Sequence, residues 1–348
     1  MSENNPVTFQ RLGTCGLITL RNERALNALT LEMIELIHPQ LVAWRDDSEI
    51  ACVVIEGAGE RAFCAGGDVR AVAQAGRAQD RSLTRQFFWH EYRLNRLIGT
   101  LGKPYVALMD GITMGGGVGL SAHGSFQVAT ERTLWAMPET AIGFFPDVGA
   151  SHVLNRLDPA MAAHLALTGR RLGADDLLHL GLATHFVPSD SLEALKTALV
   201  EAEVPVRETL DRFGTSAPVT TLMADLSIIK ATFGAPSVEA ILETLIRDGG
   251  DRAKAFAETL SKMSPTSCKV TLEQLKRTRN LDLDACLKLE FRMSQHFMAG
   301  HDFYEGIRAV LIDKDQSPSW RPDTLEGVSE TDVDLYFGGL SEGDLHFD

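Results

Sequence analysis

The chain has 348 residues, of which 45% are hydrophobic and 23% are charged, as in a soluble globular protein with a sizeable core. Its formal net charge of −14 excludes a general nucleic-acid binder, because neutralising phosphates requires clustered lysine and arginine. No apolar run approaches the ~20 residues that cross a bilayer, so we expect neither a nucleic-acid nor a membrane partner.

The first residues show no targeting pattern. MSENNPVTF lacks a basic region followed by an apolar one, and it lacks the arginine-rich look of a transit peptide. The five cysteines are odd in number, are scattered, and have no metal-site spacing such as CxxC. We therefore predict a cytoplasmic location and no metal.

Strand and helix patterns alternate over the first part of the chain. Short apolar and β-branched runs predict strands at 16–20, 52–57, 105–111, 126–131 and 184–187. Helical periodicity covers 30–45 and 81–100, and Thr30 is a predicted N-cap. Strands that alternate with helices indicate an α/β core.

After about residue 190 the strand patterns disappear. Helices are predicted at 190–203, 219–232, 236–247, 251–262, 265–278, 282–299 and 302–312. We predict an α/β core over 1–200 that carries the functional site, and a helical C-terminal region over 201–348. The tail from 315 is expected to pack loosely over the body.

Two glycine-rich stretches end strands and lead into helical patterns. They are RAFCAGGDVR at 61–70 and DGITMGGGVGLSAHG at 110–124. Glycine permits close backbone approach, and a helix N-terminus leaves N–H groups free, so two such groups would form a hole for a developing oxyanion. The alternative is a pair of tight turns where helices pack on strands, and the pattern alone does not separate the two.

The stretch MPETAIGFFPDVG at 137–149 contains two acids, Glu139 and Asp147, and no other ionisable group. Burying a lone carboxylate is unfavourable, so two acids among Met, Ile and Phe require a reason. They are either a working pair or a helix cap and a turn residue.

The motifs AFCAGGD, GITMGGGVGLS and AMPETAIGFFPDVG, in this order, resemble the crotonase (enoyl-CoA hydratase/isomerase) superfamily and most closely its 3-hydroxyisobutyryl-CoA hydrolase branch. MSPTSCKVT and GHDFYEGIRAVLIDKDQSPSW extend the resemblance to the C-terminal half. It implies a spiral of ββα units followed by a helical region. It also implies an acyl-CoA substrate, and no cofactor other than the CoA of that substrate.

The resemblance implies that the amides of Gly67 and Gly116 polarise the thioester carbonyl. Hydratases of the superfamily use two glutamates; one matches Glu139, but Gly119 stands in the place of the other. The hydrolase branch has an aspartate at Asp147. The implied reaction is hydrolysis of a short 3-hydroxyacyl-CoA. The preferred substrate is 3-hydroxyisobutyryl-CoA in valine breakdown, and 3-hydroxypropionyl-CoA is the second candidate substrate.

Within that reaction Glu139 either attacks the carbonyl or activates a water, and both routes stay open. Asp147 is expected to orient the substrate hydroxyl or the water and to move a proton. Two nearby carboxylates in an apolar pocket raise each other's pKa. Glu91 matches a substrate-binding glutamate of the branch, with an exposed charge on the helix surface as the alternative.

Arg70 and Lys314 are the expected contacts for the CoA phosphates, with solvated surface charges as the alternative. The superfamily often forms trimers or hexamers, so a homo-oligomer is implied without being readable from this sequence. Two rival functions are an enoyl-CoA hydratase or isomerase and a non-catalytic acyl-CoA-binding protein.

Overall fold

A computed structural model describes residues 5–201, 204–219 and 222–347. The chain forms two compact units that are interleaved along the sequence. Unit 1 consists of Met1–Asp68, Arg93–Trp135 and Arg171–Thr221, and unit 2 of Val69–Tyr92, Ala136–Arg170 and Leu222–Asp348. The predicted division near residue 200 stays a prediction.

Unit 1 contains both sheets apart from Ala136, the last residue of β8. In chain order the strands are β1 Val7–Leu12, β2 Cys15–Leu20, β3 Cys52–Gly57, β4 Ala62–Cys64, β5 Tyr105–Met109, β6 Ile112–Met114, β7 Phe126–Ala129, β8 Leu134–Ala136 and β9 His185–Phe186. One sheet has the order β1-β2-β3-β5-β7-β9 and the other β4-β6-β8. From β3 to β8 the chain therefore alternates between the sheets, which is the pattern of a spiral of ββα units.

The parallel pairing of the large sheet explains the apolar strand patterns. Only β1 and β2 pair antiparallel, whereas β2-β3, β3-β5, β5-β7 and β7-β9 are parallel. Parallel strands are covered on both faces and so read as continuous apolar runs. All five predicted strands are confirmed, and the three-residue strands β4, β6 and β8 were not predicted.

The helices run through both units. They are α1 Leu31–Asp46, α2 Val69–Arg77, α3 Arg81–Gly99, α4 Gly116–Ser121, α5 Ala150–Leu154, α6 Pro159–Thr168, α7 Ala174–His179, α8 Leu192–Glu201, α9 Val206–Phe213, α10 Leu222–Thr232, α11 Val238–Asp248, α12 Asp251–Leu260, α13 Pro265–Arg277, α14 Leu283–Ala299, α15 Asp302–Ile307 and α16 Glu330–Leu335. A π-helical turn, Arg308–Ile312, follows α15.

The predicted helices are confirmed, although 202–203 and 220–221 at the ends of two of them lie outside the described residues. Thr30 caps α1 as predicted, because its side chain accepts a hydrogen bond from the amide of Met33 at 3.2 Å. In the described part of the chain, no helix is both long enough and apolar enough to cross a membrane.

Unit 2 packs around aromatic side chains that include both phenylalanines of 137–149. The ring centroid of Phe144 lies 4.6 Å from that of Phe145, 5.6 Å from Phe88 and 5.3 Å from Phe297. This packing holds residues 143–147 inside the unit and surrounds them with groups of low polarity.

The C-terminal tail is packed rather than loose, so that expectation is wrong. Trp320, Val328 and Leu345 are all buried within unit 2. The indole N–H of Trp320 donates to the carbonyl of Lys262 at 3.0 Å. The buried apolar residues of the tail are widely spaced among charged residues. Because they follow no helical or strand period, the sequence pattern did not predict their packing.

Replacing Gly306 in α15 by alanine is expected to destabilise the protein. A Cβ atom there would lie 2.3 Å from the carbonyl oxygen of Ile142, so the helix and the turn would have to separate. We expect the free energy of unfolding to fall by about 2 kcal/mol, although alanine is intrinsically the better helix former.

The matched control is Gly339→Ala, since a Cβ there would meet nothing within 4 Å. Chemical denaturation of both variants measures the effect, and Gly339→Ala should change stability by less than about 0.5 kcal/mol. Wild-type stability in Gly306→Ala would show that α15 does not pack closely on this turn.

Candidate active site

The two glycine-rich turns lie side by side in unit 1. Strands β4 and β6 pair in parallel and end at Cys64 and Met114. A Cβ atom on Gly117 would lie 2.2 Å from the carbonyl oxygen of Cys64, so only glycine allows this approach. A Cβ on Gly66 would lie 3.9 Å from the amide nitrogen of Gly116, which brings the two predicted amide donors into the same neighbourhood.

The amides of Gly67 and Gly116 have no acceptor among the described residues. The carbonyl of Gly66 and the amide of Asp68 both bond to Leu29 at 2.8 Å, so the N–H of Gly67 points away from Leu29. Gly116 is the first residue of α4, where an amide has no partner within the helix. An oxyanion hole requires these features, and that role stays a prediction.

The three predicted acids lie together in unit 2. Glu91 is in α3, Glu139 begins the 3₁₀ turn Glu139–Ile142, and Asp147 precedes α5. They are 2%, 6% and 6% exposed, which excludes an exposed surface charge for Glu91. Burial, and then the charge of Asp147, raise the pKa of Glu91 and of Glu139 well above the usual range.

Asp147 differs from the two glutamates in its hydrogen bonding. The hydroxyl of Tyr92 donates to Oδ2 of Asp147 at 2.7 Å. Burial raises the pKa of Asp147 to about 7, while the bond from Tyr92 acts in the opposite direction.

The glutamates, by contrast, have unused acceptor atoms. Oε1 of Glu91 and Oε2 of Glu139 are buried without a hydrogen-bond partner among the described residues. Buried polar atoms nearly always have a partner in a folded protein. Each of these two oxygens is therefore able to bond to a substrate group or a water, and that role stays a prediction.

Sequence reasoning missed two residues of this region, Tyr92 and Glu290. Tyr92 is fully buried and lies next to Glu91 in a helix that otherwise shows ordinary amphipathic periodicity. Glu290 is a fully buried acid in α14, and burial raises its pKa to about 8. The only signal was an acid among the apolar residues that form the buried face of α14.

Arg70 and Lys314 are exposed residues of unit 2. Arg70 is the second residue of α2, and Lys314 follows the π-helical turn with a φ of +59°. No contact among the described residues links Arg70 or Lys314 to the three acids. Their role in binding the CoA phosphates stays a prediction.

Comparison with known proteins identifies relatives along nearly the whole chain. The model of the enoyl-CoA hydratase/isomerase family matches residues 15–337. A protein of Danio rerio named 3-hydroxyisobutyryl-CoA hydrolase, mitochondrial, is 52% identical over 97% of this chain and 91% of its own length. The Homo sapiens protein of the same name is 47% identical over 98% of this chain and 90% of its own length.

The names of these relatives contradict the cytoplasmic location predicted from the sequence, because both are called mitochondrial. That prediction rested on the absence of a targeting pattern and on scattered cysteines. The described structure shows five free, buried cysteines. Free thiols do not distinguish one reducing compartment from another.

Solved structures share the fold. A carnitinyl-CoA dehydratase from Mycobacterium thermoresistibile has a TM-score of 0.93 and 38% identity, covering 98% of both chains. An enoyl-CoA hydratase from Rhodobacter sphaeroides 2.4.1 has a TM-score of 0.92 and 36% identity, covering 99% of this chain and 100% of that one. The crotonase-like fold implied by the sequence motifs is therefore confirmed, and the chain belongs to the enoyl-CoA hydratase/isomerase family.

Proposed function

We propose that this protein hydrolyses the thioester of 3-hydroxyisobutyryl-CoA, releasing CoA and 3-hydroxyisobutyrate. Relatives at 47–52% identity carry the name of this activity. The observation that carries the proposal is the buried cluster of Glu91, Glu139 and Asp147, with two carboxylate oxygens unpartnered among the described residues. Such a cluster supplies both proton acceptors and donors near neutral pH.

We assign the amides of Gly67 and Gly116 to the thioester oxygen. Attack on the carbonyl carbon places negative charge on that oxygen, and fixed N–H donors stabilise it. Support comes from the adjacency of the two turns and from two amides that lack acceptors among the described residues. The assignment of these amides to the same reaction as the acids of unit 2 rests on family membership.

Glu139 is proposed to start the reaction through its free Oε2 atom. In one route this oxygen attacks the carbonyl carbon, the carbon–sulfur bond breaks, and water then opens the mixed anhydride. In the other route Oε2 takes a proton from a water that attacks the carbon directly. Both routes require the ionised form of Glu139. In the first route the CoA thiolate takes its proton from another acid of the cluster, which regains one when water opens the anhydride; in the second, Glu139 passes on the proton that it took from the water.

Asp147 and Glu91 are proposed to handle the substrate hydroxyl and the proton. A pKa of about 7 lets Asp147 give or take a proton near neutrality, and Tyr92 fixes the direction of its carboxylate. Burial and the charges of Asp147 and Glu139 raise the pKa of Glu91 well above the usual range, which favours a protonated carboxyl that donates a hydrogen bond. Its acceptor is the substrate hydroxyl or Glu139.

Hydration of an enoyl-CoA is the second candidate, favoured by the names of the two solved structures. It requires a base and an acid on the two sides of a double bond. The family resemblance places one of these at position 119, where this chain has a buried glycine in α4. The acid pair here is therefore Glu139 with Asp147, which is why we prefer hydrolysis.

The CoA contacts and the assembly are also proposals. Arg70 and Lys314 are exposed cations able to bind phosphate in a chain of net charge −14. A trimer or hexamer, a place in valine degradation and the absence of any further cofactor follow from the family alone.

A panel of acyl-CoA thioesters tests the function. We expect rapid release of free CoA thiol from 3-hydroxyisobutyryl-CoA, and release roughly tenfold slower from 3-hydroxypropionyl-CoA, which lacks one methyl group. Loss of enoyl absorbance from crotonyl-CoA should be slow. Hydration of crotonyl-CoA without CoA release from either hydroxyacyl thioester would contradict the proposal and identify a hydratase.

Glu139→Gln is expected to lower kcat by about 10²–10⁴-fold with CoA binding retained, since the amide can neither attack nor accept a proton. The control is Glu243→Gln, an exposed glutamate in α11, which should behave as wild type. If the wild type turns over, an inactive Glu139→Gln variant that still binds CoA also excludes a non-catalytic binding protein. Wild-type turnover in Glu139→Gln would remove this residue from the reaction.

A single turnover in oxygen-18 water separates the two routes. Label in the Glu139 peptide identifies attack by the carboxylate, because water then opens the anhydride at either carbonyl. Label confined to the released 3-hydroxyisobutyrate excludes opening of an anhydride at the Glu139 carbonyl and is the result expected of the route through an activated water.

A further inference from the structure

We propose that Glu290 is a positioning residue for Asp147, and that its carboxylate holds the backbone turn that carries Asp147. The inference rests on the proposed function, since it takes Asp147 to be one of the reacting acids. Four observations on unit 2 support it.

Both carboxylate oxygens of Glu290 bind the start of α5. Oε2 accepts a hydrogen bond from the amide of Gly149 at 2.6 Å. Oε1 accepts from the amide of Ser151 at 3.2 Å and from its hydroxyl at 2.6 Å. Gly149 is the N-cap of α5 and has no side chain to cap the helix. Glu290 thus supplies from α14 the acceptor that an N-cap side chain normally provides.

Gln274 in α13 extends this contact to the other side of Asp147. Its Nε2 donates to Oε1 of Glu290 at 3.1 Å and to the carbonyl of Pro146 at 2.9 Å. The residue before Asp147 and the second residue after it are therefore both tied to the pair Glu290 and Gln274. We call this pair the clamp.

The turn needs such a clamp because its backbone is strained. Val148, directly after Asp147, has a φ of +56° and is buried. A β-branched residue rarely adopts the left-handed region, and such conformations persist only where the surroundings hold them. Relaxation of Val148 to an extended conformation would turn the adjoining peptide and move the carboxylate of Asp147 away from Tyr92.

Both oxygens of Glu290 have hydrogen-bond donors, unlike those of the two glutamates assigned to the reaction. Each of its oxygens accepts at least one hydrogen bond from protein donors, whereas Glu91 and Glu139 each keep an oxygen without a partner among the described residues. Glu290 therefore acts through the turn and not on the reacting atoms.

The test compares Glu290→Gln with a control that loses another buried acid of unit 2. The amide would present an NH₂ group to donors, and we expect kcat to fall by about tenfold or more with KM changed less than about twofold. The control, Asp225→Asn in α10, disrupts ion pairs with Arg170 at 2.7 Å and Arg252 at 3.0 Å. It should lose stability and keep kcat, so unchanged kcat in Glu290→Gln overturns the proposal.

A double-mutant cycle with Asp147→Asn separates positioning from general damage. If Glu290 acts through Asp147, adding Glu290→Gln to Asp147→Asn lowers the residual kcat no further. If the two substitutions instead lower kcat by factors that multiply, the proposal is overturned. If Glu290→Gln does not fold, Gln274→Met replaces it, because that variant releases Pro146 and leaves the carboxyl group of Glu290 in place.

Hydrogen exchange by NMR keeps this test distinct from that of the function. Glu290→Gln should speed exchange at the amides of Gly149 and Ser151, and no change there overturns the clamp. A wild-type protein that releases no CoA from any thioester rejects the proposed function. Even in that case, faster exchange at the amides of Gly149 and Ser151 would show that the clamp holds the turn that carries Asp147.

Discussion

The burial of carboxylates, reinforced by like-charge repulsion among them, is the constraint on which this site depends. Glu91, Glu139, Asp147 and Glu290 are each at most 6% exposed, and no arginine or lysine of the described residues forms an ion pair with them. Removing charged carboxylates from water is unfavourable, so burial raises the pKa values of all four acids. The same property that destabilises the fold makes proton transfer available at neutral pH.

The four acids of unit 2 differ in their hydrogen-bond partners. Tyr92 donates to Asp147, and the amides at the start of α5 donate to Glu290, so these two carboxylates are directed. Glu91 and Glu139 retain free oxygens for ligands. The rings around Phe144 lower the polarity of the surroundings, which strengthens each interaction. Similar residue types thus acquire distinct proposed roles from burial and hydrogen bonding.

The sequence was most informative where periodicity is long or a motif is specific. The α14 pattern and the strand CVVIEG are recovered almost residue for residue. The short strand β4 has too few residues to show a period, and α6 is buried on nearly all sides, so it has no amphipathic stripe. Glu290 was missed because it meets Gly149 across 141 residues, a pairing that only the folded chain reveals.

The pH dependence of stability in wild type and Asp147→Asn tests this account most directly. Because folding raises the pKa of Asp147 from 3.8 to about 7, the native state binds more protons between these values, and stability falls as pH rises through that window. We predict that Asp147→Asn loses hydrolysis yet exceeds the wild-type free energy of unfolding at pH 8 by about 2–4 kcal/mol, with a smaller difference near pH 4.5. Equal or lower stability of Asp147→Asn at pH 8 would contradict the claim that these buried acids are retained at the expense of stability.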